Sequence, residues 1–505
     1  MNRLLNKEKY SFMKIKTFII SLISLMIITA CEKMIDVDQP DIIEQEQAFS
    51  DQNSVRLSMI GIYGLMSDLV EPLFLAGEVR ADLVVANKSA ESDIKEFSNN
   101  SFSASNPYVS PKPFYNIINN TNDFIHEFEG LVESEKMLTS DFIKYKSELV
   151  AIRVWCQYQI AKIYGTCSYY TEESDSGSIN IQQQYSYEDT SFIRILINDL
   201  TYSDTNIFTA TTDPVIWQTI RMSDFYVNEL LAELYIEVGD YQNALDKLNE
   251  VTIFGDRDNL SSTRFSINTP YSPGFLWLYD MFLFDWESSD LTDNAVFMIA
   301  FDNKYNQTNE LWNWTLSLNY QVAPASWFRQ QFYEHAFEDE ENPDYRYYTV
   351  RNIMDYGTKD QYVIMKYTEN DRPFIMTRTA RISLLKAYCS LLKYKETNAK
   401  VDINNVIKEI DNVRKRVGVN TIDKDKMPED EIEQIEWLED LIVDEMAYEL
   451  CFEGQRWFDL MRIANQRNDP SYLADKVAQK YPEDSREEIR AKLLNKENWF
   501  IPIFE

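Results

Sequence analysis

Two tryptophans, Trp312 and Trp314, stand two residues apart in a segment rich in side-chain amides. Sugars present C–H-rich faces that stack on aromatic rings, and their hydroxyls bond to amides and carboxylates. In a β-strand, side chains two residues apart point to the same face, so both rings would form one stacking platform. The segment therefore predicts a saccharide-binding surface. Its candidate contacts are Tyr305, Trp312, Asn313 and Trp314, with Asn306, Gln307 and Asn309 as neighbours.

Two other segments have a similar make-up of aromatic and polar residues, residues 99–115 and 271–279. In the first of them Tyr108 lies between Asn106 and Pro111, and it is the candidate contact there. Most aromatic side chains in a chain with 14% aromatic residues belong to the core. The assignment of any one aromatic residue as a ligand contact is therefore a hypothesis.

The sequence contains no motif typical of catalysis or of nucleotide binding. His126 and His335 are its two histidines and stand far apart, and the chain lacks a serine-nucleophile elbow, a His-Glu-x-x-His zinc motif and glycine-rich phosphate loops. Among 82 acidic residues, carboxylates close together in sequence carry little information. We predict a non-enzymatic protein with no cofactor and no metal, and a carboxylate glycosidase stays as an alternative.

The N-terminal residues have the layout of a secretory signal peptide. Lys14 and Lys16 precede an apolar run, residues 18–28, which is too short to span a bilayer. Thr29 and Ala30 then lead into Cys31, and this pattern resembles a bacterial lipobox, whose cysteine is acylated and becomes the first mature residue. We predict a signal peptide over 1–30, then acylated Cys31 and a polar tether over 31–49, which would hold the protein at a membrane.

Composition excludes one class of partner and indicates a folded chain. A net charge of −33 repels nucleic acid, whereas 45% hydrophobic residues are far from a disordered composition. The remaining cysteines have no metal-ligand spacing and most lie in helical apolar patterns, so we predict free buried thiols. A bridge between the first two stays open; the four are Cys156, Cys167, Cys389 and Cys451.

Apolar periodicity predicts a mainly α-helical protein. Two helices over 225–238 and 243–251, joined at Gly239, have the small and large packing residues of a tetratricopeptide-type pair. A second pair is predicted over 380–394 and 403–417, and a further helical block over 431–463. Other helical segments are predicted from about residue 50 and over 114–128, 140–164 and 189–200.

Residues 252–379 differ, because prolines interrupt the helical pattern and short alternating runs at 294–300 and 362–365 predict strands. We therefore predict a tetratricopeptide-like helical-pair scaffold over 50–251 and 380–505. An irregular, loop-rich ligand-binding lobe with short strands is inserted between them over 252–379.

Residues 449–462 read E-L-C-F-E-G-Q-R-W-F-D-L-M-R, which resembles the E-L-x-x-E-G-x-R-x-x-D-L-x-R signature of the SusD/RagB family. Other blocks occur in that family's order: residues 148–166, Asp344-Tyr345-Arg346, Lys366-Tyr367, residues 381–387, residues 410–418 and the ending at 498–503. Departures include the missing acidic residue in the block 381–387. In addition, residues 444–448 read D-E-M-A-Y where the family often has E-R before E-L, so one basic residue is absent.

The resemblance implies an outer-membrane lipoprotein that faces outward and does not catalyse a reaction. It would capture an oligosaccharide and deliver it to a SusC-like TonB-dependent β-barrel transporter. Residues 78–82 look similar to a family segment near the ligand, which makes Arg80 and Asp82 candidate contacts. Two alternatives stay open: a binder of peptides or another nutrient within the same family, and a structural tetratricopeptide adaptor without a small ligand.

The signature itself we interpret as structural. Its charged residues recur every three positions, which would place them on one helical face as a ladder of ion pairs, with Arg456 between Glu453 and Asp459. The signature residues are Glu453, Gly454, Arg456, Asp459 and Arg462.

Overall fold

The computed structural model describes residues 52–172, 184–207, 219–252, 295–341, 343–353, 361–397, 403–417 and 419–504. Cys31, its signal peptide and tether, and the candidate segment 271–279 lie outside the described residues. Residues 51–505 form one structural unit. The predicted domain limits at 251 and 379 fall inside this unit and stay predictions.

The described residues are mainly helical, which confirms the predicted fold class. Numbered in chain order, the N-terminal helices are α1 Gln52–Met66, α2 Val70–Phe74, α3 Ser92–Ser98, α4 Lys112–Glu133, α5 Thr139–Tyr164, α6 Thr190–Asp204, α7 Asp224–Glu237 and α8 Tyr241–Thr252. The following helices are α9 Leu311–Thr315, α10 Ser326–Ala336, α11 Thr379–Thr397, α12 Ile403–Arg416, α13 Glu431–Leu450, α14 Arg456–Gln466, α15 Pro470–Ala478 and α16 Glu483–Leu493.

The stretch Asn53–Val79, which begins in α1, is long and apolar enough to cross a membrane by length and composition alone. In the structure, 56% of its most apolar window is buried inside the protein. A helix that packs in the core of a folded domain passes the same test of length and hydropathy. We therefore read this stretch as part of the scaffold core.

Both predicted helix pairs are confirmed. Helix α7 packs on α8, α11 packs on α12, and α8 also packs on α11, so the two pairs adjoin. Ala232 on α7 and Ala244 on α8 are fully buried. Their small side chains let the two helices approach closely. Gly239 joins these helices with a φ of +76°, a left-handed conformation that glycine adopts without steric cost.

Short antiparallel strands join distant parts of the chain. They are β1 Val84–Ala86, β2 Thr166–Ser168, β3 Gln184–Ser186, β4 Ala295–Ile299, β5 Val322–Pro324, β6 Val350–Asn352, β7 Tyr362–Ile364 and β8 Phe374–Arg378. The pairs are β1 with β5, β2 with β3, β4 with β8 and β6 with β7. The predicted strands at 294–300 and 362–365 are confirmed. Because β1 pairs with β5, residues 322–324 are hydrogen-bonded to the N-terminal half.

The predicted helical block over 431–463 consists of two helices, because α13 ends at Leu450 and α14 begins at Arg456. Between them Phe452 and Gly454 have φ values of +69° and +75°, which a helix does not allow. The break brings the backbone of Gly454 against Gly77: a Cβ atom on Gly77 would lie 1.7 Å from the carbonyl oxygen of Gly454. The carboxylate of Glu78 accepts hydrogen bonds from the Phe452 and Gly454 amides, at 2.7 and 3.0 Å.

The predicted ladder of signature ion pairs is corrected by the same break. Arg456 pairs with Asp82, at 2.8 Å for both nitrogen–oxygen contacts, and not with Glu453 or Asp459. The carboxylate of Glu453 binds Lys366 and Arg378. The predicted i,i+3 contact holds only for Asp459 and Arg462, at 3.4 Å. These side chains are buried, and each charged residue of the signature has an oppositely charged partner inside the core.

The cysteine prediction is confirmed for the described residues. Cys156, Cys167, Cys389 and Cys451 are free and buried. Burial raises the pKa of the Cys389 and Cys451 thiols to about 12, so both stay protonated at neutral pH. They act as small apolar side chains of the core.

Candidate ligand-binding site

The segment 301–315 is held in place by its own asparagine and aspartate side chains. Asp302 accepts a hydrogen bond from the Lys304 amide at 2.8 Å, and Asn306 turns the chain with a φ of +58°. The buried Asn309 accepts from the Leu311 amide at 3.0 Å and donates to the Arg372 carbonyl at 2.7 Å. Asn309, which was predicted as a polar neighbour of a ligand, therefore fixes the start of α9.

The predicted strand-like platform of two tryptophans is wrong, because residues 311–315 form the helix α9. Residues two apart in a helix point in directions about 200° apart. Trp314 accordingly points inward and is buried, with its ring edge-on to Tyr108 at a centroid distance of 5.6 Å. Trp312 and Asn313 are partly exposed. The side chain of Tyr305 lies outside the described residues.

A polar cavity of about 270 Å³ lies beside this segment. Asp68 and Glu71, from the helical stretch after α1, line one side, and Asn306, Gln307 and Thr308 line the other, with Phe301 and Gly64. A second cavity of about 140 Å³, mainly apolar, shares Gly64 and Gln307 with it. The two cavities thus form neighbouring compartments between α1 and the segment 297–308.

Glu310 connects this cavity to the exposed side of α9. Its carboxylate accepts a hydrogen bond from the Asn313 side-chain amide at 2.7 Å. Its charge acts on both Glu71 and Tyr108. We define the ligand face as Asp68, Glu71, Tyr108, Gln307, Glu310, Trp312 and Asn313.

Carboxylates dominate the electrostatics of the ligand face. Burial, with smaller contributions from the nearby charges of Glu310 and Asp68, raises the pKa of Glu71 to about 7. Burial also raises the pKa of Tyr108 to about 12, again with contributions from Glu71 and Glu310. Such a face repels anions and offers many hydrogen-bond acceptors.

Arg80 and Asp82 are buried in the protein core, which corrects their interpretation as ligand contacts. The Arg80 guanidinium lies 3.9 Å from the centroid of the Trp457 ring and donates to Asn100 at 2.9 Å. Asp82 is the partner of Arg456. The structure therefore gives both residues a role in packing and charge pairing.

Residues 294–505 match the sequence profile of the SusD family. SusD-like protein P38 of Formosa agariphila is 22% identical over 498 residues, which cover 88% of this chain and 90% of that protein. The chain is similar to proteins of the SusD/RagB family over most of its length. This confirms the resemblance that the signature indicated.

Solved structures with the SusD fold resemble this one along most of its length. A SusD superfamily protein from Bacteroides vulgatus has a TM-score of 0.68 at 18% identity, covering 90% of this chain and 96% of that one. A laminarin-binding SusD-like protein has a TM-score of 0.63 at 16% identity, covering 86% of this chain and 95% of that one. At these identities the comparison establishes the fold.

Sequence reasoning missed Asp68 and Glu71, although it identified most of the segment that faces them. Both residues lie in the apolar stretch that continues from α1 and reads as a core helix. The available signal is the placement of two carboxylates within that apolar stretch. Asp68 is exposed, whereas Glu71 is partly buried. Burying a carboxylate without a cation costs free energy, so the position of Glu71 is a candidate functional position.

Proposed function

We propose that this SusD-like protein is a non-catalytic binding protein that captures a neutral oligosaccharide on its ligand face. The observation that carries the proposal is the combination of the partly exposed Trp312 with side-chain amides and carboxylates around a polar cavity. A sugar ring would stack on Trp312, and its hydroxyls would donate to Glu310 or Asp68 and accept from Gln307 or Asn313.

The known binders among the structural neighbours support the ligand class. One is described as laminarin-binding, and a protein from Bacteroides vulgatus with a TM-score of 0.61 is described as a SusD-like carbohydrate-binding protein. The acidic ligand face favours an uncharged oligosaccharide, because Asp68, Glu71 and Glu310 would repel uronic acids or sulfate groups.

We also propose that the protein is attached to the outer membrane through acylated Cys31 and faces outward. From there it delivers its ligand to a SusC-like TonB-dependent β-barrel transporter. The lipobox-like sequence before Cys31 and the similarity to the SusD/RagB family support this placement.

Substitution of the proposed lipidation site tests the attachment. Cys31→Ala removes the thiol that acyl chains would modify, so we expect the variant to leave the membrane fraction. The measurement is fractionation of cells followed by a high-salt wash, with Cys167→Ala as the control for loss of a buried thiol. Retention of the Cys31→Ala variant in washed outer membranes would contradict a lipid anchor.

Titration against a panel of neutral oligosaccharides and short peptides tests the ligand class. We expect binding of at least one oligosaccharide and of no peptide. Peptide binding alone would support the alternative nutrient binder, and no binding at all would support the adaptor. Tyr202→Ala is the matched control for Trp312→Ala, because it removes an exposed aromatic ring on α6 that lies outside the ligand face.

Glu71 favours one second candidate, a carboxylate glycosidase. A carboxyl group with a pKa of about 7 beside other carboxylates is the arrangement that such enzymes use as general acid. Release of reducing sugar from any bound oligosaccharide, lost in Glu71→Gln, would establish this activity. We expect none, because burial is the largest cause of the raised pKa of Glu71 and accounts for the shift without a catalytic role.

A further inference from the structure

A third cavity, of about 480 Å³, lies in the C-terminal half and shares no residue with the ligand face. Three parts of the chain form it: the end of α10 with the residues that follow, the end of α12 with the connection to α13, and the middle of α13. Its volume is in the range of small-molecule sites in proteins, roughly 300–1,000 Å³.

One wall of this cavity is apolar and aromatic. Trp437 and Leu441 lie one helical turn apart on α13 and both line it, and the ring of Trp437 is partly exposed. Ile422 contributes further apolar surface from the connection. An indole at the edge of a cavity presents a flat face on which an apolar face of a ligand can stack.

The other walls carry hydrogen-bonding groups of both kinds. Asn420 donates to Asp339 at 2.9 Å, which joins the connection to the residues after α10. Arg414 donates to the Asn420 carbonyl at 2.7 Å and pairs with Glu445 at 3.1 Å. These bonds fix the polar side of the cavity, so it is formed before any ligand enters.

The charges of the lining decide between ligand classes. Four carboxylates line the cavity, against the cations Arg414 and Lys426, and Lys426 lies 3.3 Å from Glu338. An anionic ligand would meet the excess of carboxylates, and a cationic ligand would meet Arg414. A neutral polyol fits both the carboxylates and the cations of the lining, because each hydroxyl can donate to a carboxylate and accept from an amide or a cation.

We propose that this cavity is a second saccharide-binding site, which takes one or two neutral sugar units with a ring stacked on Trp437. Asn420, Asp339 and Asp423 then bond to the hydroxyls. This inference rests on the proposed function, and an oligosaccharide long enough to reach both sites would bind more tightly than at either site alone.

The test is fluorine NMR of protein labelled with 5-fluorotryptophan, which reports each of the ten tryptophans separately. Trp437→Phe and Trp312→Phe assign the two resonances of interest. The probes are laminarihexaose, maltohexaose, glucosamine and glucuronate, added up to about 20 mM so that a millimolar Kd is detected. Because the two resonances report separately, failure at Trp437 is distinguishable from failure at the ligand face.

We expect a saturable shift of the Trp437 resonance with at least one neutral oligosaccharide, retained in Trp312→Ala. In Asn420→Ala we expect the affinity read at Trp437 to fall about three- to tenfold, while the Trp312 resonance responds as before. A Trp437 resonance that stays still with both hexasaccharides, or that moves only with glucosamine or only with glucuronate, would overturn the proposal.

Discussion

The signature region, residues 449–462, and the ligand face both contain charged residues but arrange them in opposite ways. In the signature region every charged residue is buried and has an oppositely charged partner, as Arg456 has Asp82 and Glu453 has Arg378. On the ligand face the carboxylates of Asp68, Glu71 and Glu310 lie near one another. The seven residues of this face include no lysine or arginine. Paired charges hold the scaffold together, whereas grouped carboxylates beside an exposed ring are open to a ligand.

The largest effect is expected where the signature region touches Gly77 through backbone atoms. Gly77→Ala places a Cβ atom 1.7 Å from the Gly454 carbonyl oxygen, and no side-chain movement relieves that clash. We expect little or no folded protein, measured as soluble yield and circular dichroism. The matched control is Gly61→Ala on α1, whose added Cβ meets nothing within 4 Å. Normal folding of Gly77→Ala would show that the approach of residues 77 and 454 is not essential.

The next effect concerns the buried pair that replaces the predicted ladder. Arg456→Ala leaves the carboxylate of Asp82 buried without its cation, and we expect a loss of about 3–5 kcal/mol in the free energy of unfolding. The measurement is denaturation by urea. Lys426→Ala, which removes an exposed partner of Glu338, is the control and should cost about 0–1 kcal/mol. Equal losses in both variants would contradict the structural role of the signature.

The smallest effect is a dependence of stability on pH that arises in the ligand face. The pKa of Glu71 is raised to about 7 from a usual value near 4.5, so the folded protein keeps a proton that the unfolded chain releases between these values. Its contribution to stability is therefore present below pH 4.5 and is lost as the pH rises through 7. Glu71→Gln removes that loss.

We expect Glu71→Gln to raise the melting temperature relative to the original protein more at pH 8 than at pH 5. Glu188→Gln, on an exposed residue outside the ligand face, serves as the control and should change little at either pH. A difference that is the same at both pH values would show that Glu71 does not titrate in this window.

The helical scaffold was predictable because its determinants are local. The apolar period of α7 and α8 and the glycine between them specify that pair within about thirty residues, and the structure has it. The partner of Arg456 was not predictable in this way, since Asp82 lies 374 positions earlier and no periodicity connects them. Charge pairing across the core depends on tertiary packing, which a local pattern does not contain.

The ligand face was predictable only in part for a related reason. The composition of residues 305–314 indicated a binding segment, but its secondary structure was predicted as a strand. A helix of five residues, such as α9, is shorter than two turns and therefore leaves no clear period in the sequence. The error reversed the direction of one tryptophan, so that Trp314 packs on Tyr108 and Trp312 alone stays partly exposed.

The most direct test measures stability and ligand affinity together in Trp312→Ala and Arg456→Ala, with the oligosaccharide that binds most tightly in the panel. We predict that Trp312→Ala keeps its melting temperature and binds about tenfold more weakly, which corresponds to about 1.4 kcal/mol. We also predict that the folded fraction of Arg456→Ala binds with unchanged affinity. Unchanged affinity in Trp312→Ala, together with weaker binding by folded Arg456→Ala, would contradict the separation of scaffold and ligand face.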